Sequence, residues 1–213
     1  MKRTTIVGTL LALVIGAGVL AQQGRPMSPD GSAAAQVLGS WTRGAQPNFT
    51  LGRGNYTGGK WIEMTFGRPL RRGRDLWGSG VNYGKDALVD APIWRAGANV
   101  TTRLKSEVPL QIGSRVIPAG EYSVFIDLKE TGWTFVLSSL PVQAKYDPNE
   151  KVATFGAYNY TPDKDVLRTP MKLETLPHSH EQLTWEFLDM TENSGTLALT
   201  WGNTMATVGF KVG

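Results

Sequence analysis

Short runs in which apolar and polar residues alternate, recurring from residue 61 to the C-terminus, constrain this chain more than any other feature. Trp61-Ile62-Glu63-Met64-Thr65-Phe66 places Ile62, Met64 and Phe66 on one side, and Glu121 to Leu128 groups Tyr122, Val124, Ile126 and Leu128. Leu183, Trp185 and Phe187 repeat the pattern with Thr184 and Glu186 opposite, and Ala206, Val208, Phe210 and Val212 close the chain in the same way. A period of two means one buried face and one wet face, which is the signature of antiparallel strands. No stretch carries a helical stripe of three turns.

The punctuation between the runs agrees. Gly113-Ser114 separates Pro109–Ile112 from Arg115–Ile117, and Gly202-Asn203 separates Leu197–Trp201 from Thr204–Val212. Each is a two-residue linker able to take positive φ, as tight hairpins require. Glu192-Asn193-Ser194-Gly195 supplies a longer turn, so residues 183–213 read as a C-terminal three-stranded meander. The fold class expected is all-β, an antiparallel β-sandwich (jelly-roll or Ig-like) with little helix.

The N-terminus reads differently. Met1-Lys2-Arg3 is positive, Ile6 to Leu20 carries no charge, and Val19-Leu20-Ala21 provides a small-residue cleavage site before Gln22. That order is the order of a secretory signal, and the apolar stretch is shorter than the ~20 residues of a spanning helix. The expected organisation is a signal peptide over residues 1–21, a flexible leader over 22–47 rich in turn formers, and a single domain over 48–213. The localisation expected is periplasmic or secreted, with no stable membrane span after cleavage.

Losing Lys2 and Arg3 leaves 20 Lys+Arg against 18 Asp+Glu, a surplus too small to favour nucleic acid as a partner. With Cys 0, thiol catalysis, thiolate metal sites and lipidation at the cleavage site are all closed, and stability has to come from packing. No motif implies a cofactor.

Six segments carry a family resemblance: Phe66-Gly67-Arg68-Pro69, Gly73–Gly78, Ile93-Trp94-Arg95-Ala96-Gly97-Ala98-Asn99, Ile117–Ser123, Gly156-Ala157-Tyr158-Asn159-Tyr160 and Leu183–Phe187. Over residues 61–212 the chain resembles a bacterial family known only as domain of unknown function 2911. The resemblance implies an exported bacterial protein with a compact β fold and brings no activity with it. Gly67 departs from the family pattern, which usually looks like serine before Arg-Pro.

The first candidate site is the set of loops holding Arg68, Arg74, Trp77, Trp94, Arg95 and Asn99. Arginine offers a planar fork for carboxylate or phosphate, tryptophan a flat face for a sugar, and Gly97 lets a ligand approach the backbone. This predicts a pocket for a glycan or an anionic small molecule, with Trp77 or Trp94 exposed. The architectural alternative pairs Arg74 and Arg95 with Asp75, Asp86 or Asp90 and buries Trp94.

His178 and His180 are the two histidines of the chain. On an extended segment they share a side and suit a metal, with Asp163 or Asp165 as a third ligand. His180-Glu181 begins like a zinc-protease helix motif, but the motif ends in Thr184 and the segment alternates as a strand. Paired-carboxylate hydrolysis is arithmetically open through Asp75, Asp86, Glu121 or Glu186, with no pair singled out. Three readings therefore compete: a non-catalytic binding module first, a structural or interaction protein of the cell envelope second, and a metal- or carboxylate-dependent hydrolase third.

Overall fold

The computed structural model describes residues 27–43 and 54–213. The expected signal segment 1–21, the expected leader's residues 22–26 and 44–47, and residues 48–53 of the expected domain lie outside the described residues.

Twelve strands, one four-residue α-helix and two short 3-10 turns (Gly80–Asn82 and Pro162–Lys164) are described. The strands and helix are β1 (Asp30–Val37), β2 (Ser40–Arg43), β3 (Gly54–Thr57), β4 (Lys60–Gly67), α1 (Lys85–Leu88), β5 (Thr102–Ser106), β6 (Leu110–Ile112), β7 (Arg115–Ile117), β8 (Gly120–Lys129), β9 (Gly132–Ser138), β10 (Asp165–Pro170), β11 (Lys172–Leu188) and β12 (Ser194–Val212). A six-stranded sheet runs β1-β4-β5-β8-β9-β10, a four-stranded sheet runs β11-β12-β6-β7, and β2 pairs with β3 alone. Every strand pair is antiparallel. The result is the expected antiparallel β-sandwich.

The alternating runs become the inner faces. Ile62, Met64 and Phe66 from β4, Val124, Ile126 and Leu128 from β8, and Trp133, Phe135 and Leu137 from β9 form one layer of the core. Leu183 and Trp185 from β11, Leu199, Trp201, Ala206, Val208 and Phe210 from β12, and Leu110 and Ile112 from β6 form the facing layer. A smaller cluster of Ile93, Phe125, Val136 and Ala157 lies on the other face of the six-stranded sheet, with Tyr160 packed against it. There Asp165 accepts bonds from the Tyr160 hydroxyl and from Arg168 Nη1, both at 2.8 Å, and Arg168 also pairs with Asp127.

Two expectations are corrected. Residues 30–37 of the leader are not loose: they form β1 and pair with β4 from Asp30↔Gly67 to Val37↔Lys60. Ala33 and Ala35 face Met64 and Ile62 across the strands. Alanine is too small to mark an apolar period, while edge pairing rests on backbone hydrogen bonds that any sequence can supply.

Nor does the C-terminus fold as a three-stranded meander. Gly202-Asn203 does not reverse the chain, and β12 continues through it with β11 alongside on both sides of the glycine. Gly202 has φ +59, and β11 carries extra residues between the matched pairs Thr175↔Thr204, His180↔Gly202 and Thr184↔Thr200. The left-handed glycine is absorbed as a bulge, because β11 is long enough to pair both halves of β12. Gly113-Ser114 does turn a hairpin, between β6 and β7.

Among the described residues no helix is long and apolar enough to cross a membrane.

Candidate anion pocket

The connection from β4 to β5, residues 68–101, holds most of the candidate residues, and two strands pin it. Leu183 donates its N–H to the Pro69 carbonyl at 3.0 Å and Arg71 donates to the Glu181 carbonyl at 2.7 Å, fixing its start to β11. Trp94 and Ile126 exchange backbone bonds at 3.0 and 2.9 Å, fixing its end to β8.

That second attachment carries Trp94 into the core. It is 1% exposed, so it does not present a stacking face. Trp77 is half-buried, donates its indole N–H to Thr204 Oγ1 at 2.9 Å, and meets Trp133 edge-on at 4.5 Å. Trp94 and Trp201 lie nearly parallel at 6.1 Å and 14°. Edge and offset contacts of this kind add about 0.5–1.5 kcal/mol each beyond the area they bury.

Arg74, Trp94, Arg95 and Asn99 line one cavity of about 210 Å³, joined by Asp86 and Trp201. Arg74 is held by its own loop, through Nε to the Arg71 carbonyl (3.0 Å) and Nη2 to the Leu70 carbonyl (2.7 Å), with its guanidinium 5.3 Å above the Trp201 ring. Arg95 donates through Nη1 to the Asn99 carbonyl at 3.0 Å. Asn99 takes φ +60 and donates its amide to the Ser28 carbonyl at 2.9 Å, tying the loop to the start of β1.

Neither Arg74 nor Arg95 has a carboxylate partner among the described residues. Asp75, expected as one such partner, accepts instead from the Gly78 N–H in a local turn. Burial lowers the pKa of Arg95, which means that its charge is held at a cost, although a guanidinium stays protonated in proteins. The Trp201 indole N–H is buried without an acceptor. The cavity therefore combines two guanidiniums that lack ion-pair partners among the described residues with the single carboxylate of Asp86.

Three glycines allow the close packing behind this wall. A Cβ on Gly67 would sit 1.9 Å from the Ala98 carbonyl oxygen, one on Gly97 2.8 Å from Thr102 Oγ1, and one on Gly156 2.7 Å from Arg95 Nη1. A side chain at Gly67 would therefore displace the Ala98 backbone. Four of the motif segments converge here, since Trp185 Nε1 also donates to the Ala96 carbonyl at 2.9 Å.

Arg68 is placed elsewhere. It bridges to β11 through Nε to the Leu183 carbonyl (3.3 Å) and Nη2 to Thr184 Oγ1 (3.1 Å), so it acts as a strut between the sheets. His178 and His180 are exposed on β11, and among the described residues no group of three His, Asp or Glu side chains converges on a metal position. Asp165, one expected third ligand, is engaged by Tyr160 and Arg168. Glu121 pairs with Arg103, and neither described cavity is lined by two carboxylates.

Trp201, which ends the Leu197–Trp201 run, was not among the candidate site residues, yet it walls the cavity. The clue was Gly202 beside it, whose bulge lies against the arginine loop.

A family model described as a protein of unknown function, DUF2911, matches residues 53–210. The chain belongs to this family. The DUF2911 match spans both sheets from β4 onward and includes every residue of the cavity, while β1 lies before it. No curated protein and no solved structure matches the chain.

Proposed function

We propose that this DUF2911 protein is a non-catalytic binding module for a small anionic molecule, acting outside the cytoplasm after removal of residues 1–21. The observation that carries the reading is the pair of guanidiniums, Arg74 and Arg95, lining one cavity without carboxylate partners among the described residues. An anion entering there offsets the cost of burying Arg95 and can accept charge-assisted hydrogen bonds from planar donors.

The volume, below the ~300 Å³ at which drug-sized ligand sites begin, suits a phosphate or a short carboxylate. A glycan is the weaker alternative, because Trp94 is buried and Trp77 is committed to Thr204 and the aromatic cluster, leaving no free indole face.

The test is calorimetric titration of the chain with inorganic phosphate, acetate and succinate, beside Arg95→Ala, Arg95→Lys and Arg74→Ala. A hydrogen bond to a charged group contributes about 1.5–3 kcal/mol, so Arg95→Ala is expected to weaken the tightest anion roughly tenfold or more. Arg95→Lys keeps the charge but loses the fork and falls between. Unchanged affinity in a folded Arg95→Ala protein, or no saturable anion binding at all, refutes the reading.

A further inference from the structure

A second cleft, larger than the first, is lined by Val100, Thr101 and Arg103, just after the Gly97–Asn99 wall of the first. Its volume is about 370 Å³, within the range of small-molecule sites. It sits on the outer face of the six-stranded sheet, where Ser32 faces Thr65 and Thr65 faces Arg103 across β1, β4 and β5. Asp30 opens one side, and Val142, Gln143 and Ala144 of the loop after β9 form the opposite wall.

The polar groups of this cleft are largely unengaged. Among the described residues the Asp30 carboxylate and the Ser32 and Thr65 hydroxyls have no hydrogen-bond or ion-pair partner. Arg103 pairs through Nη2 with Glu121 at 2.6 Å, while its Nε–H is buried with no acceptor. An orphaned buried donor is costly, and in native proteins such a group commonly meets water or a ligand.

We propose that this cleft is a binding site for an uncharged polyhydroxylated molecule of monosaccharide size. The charge inventory decides the class. The Arg103 cation is already neutralised by Glu121, so no free positive charge remains to hold an anion, and the unpaired Asp30 repels one. What remains is a carboxylate that accepts from hydroxyls and two hydroxyls that both donate and accept. A ligand rich in hydroxyl groups answers all three, because each of its groups can serve as donor or acceptor.

The test titrates the full chain with D-glucose, D-galactose and D-mannose while following backbone amide chemical shifts. The expected result is saturable movement for at least one sugar, confined to residues 30–32, 65, 100–103 and 142–144. Asp30→Asn and Thr65→Val, both at exposed strand positions, weaken it roughly tenfold and severalfold respectively. Excess phosphate leaves the sugar bound, which separates this site from the anion cavity whether or not the latter binds phosphate. The proposal is overturned by absence of saturable shifts with all three sugars, by indifference to both substitutions, by displacement with phosphate, or by tighter binding of acetate or propylamine than of any sugar.

Discussion

Replacing Gly67 by alanine tests the packing that holds the anion cavity together. Gly67 is buried and has no positive φ, so alanine is compatible with its backbone and the whole penalty is steric. The added Cβ would lie 1.9 Å from the Ala98 oxygen, 2.7 Å from its carbon and 3.0 Å from its nitrogen. All three are backbone atoms, so no rotamer change relieves the clash, and restoring even 3.0 Å requires the 97–99 segment to move by more than 1 Å.

Overpacking of this kind costs about 1–3 kcal/mol, which for a domain of this size lowers the melting temperature by roughly 2–12 °C. The displaced residues are Ala98, a wall of the cavity, and Asn99, whose carbonyl holds Arg95. Gly67→Ala is therefore expected to lose phosphate affinity together with stability. Gly209→Ala is the matched control: it is exposed on β12, and its Cβ meets nothing closer than 4.0 Å. That change should be neutral, or stabilising by about 0.4–1 kcal/mol. Calorimetric melting and phosphate titration of both variants read the result. A Gly67→Ala protein that melts and binds like its parent would show that the close approach of Ala98 is not as described, and the reasoning about the cavity wall would fall with it.

Three further outcomes are expected. Trp133→Ala removes a side chain 2% exposed that touches Trp77 and Trp94, and should cost about 3–5 kcal/mol in chemical denaturation; a loss under about 1 kcal/mol would contradict the aromatic core. Burial, reinforced by the hydrogen bond to Asp165, raises the Tyr160 pKa above its ordinary value of 10.0. Its contribution is thus complete below pH 10 and lost as pH climbs toward the raised value, so Tyr160→Phe should flatten the alkaline fall in stability, and an unchanged slope would count against it. The His178→Ala/His180→Ala double variant, changed at exposed positions, should melt within about 0.5 kcal/mol of the parent and keep its response to zinc; loss of a zinc-induced stabilisation would revive the metal reading.

The core strands were legible because burial on one face of a sheet imposes period two, and Ile62, Met64, Phe66, Val124, Ile126 and Leu183 follow it without exception. β1 was not, since its inward residues Ala33 and Ala35 are too small to register. Gly202-Asn203 was misread because a left-handed glycine serves a bulge as well as a hairpin, and only the pairing of β11 distinguishes them.

At the candidate site, Arg74, Arg95 and Asn99 were found from residue chemistry, and the structure does bring them together. Exposure and burial of Trp94 were both left open, because the exposure of a loop residue depends on which strand the loop lies against, here Ile126. Arg68, adjacent in sequence to the cavity residue Pro69, points its donors to β11 for the same kind of reason.

The tryptophan cluster gives the protein a built-in optical reporter. Trp94 and Trp201 lie nearly parallel at 6.1 Å, with Trp77 in edge contact with both, so their near-ultraviolet transitions couple and yield circular dichroism characteristic of the assembled core. Two of these rings also wall the candidate cavity. An anion bound there as proposed would perturb two members of a coupled set, and its occupancy would be followed by dichroism or intrinsic fluorescence without any label.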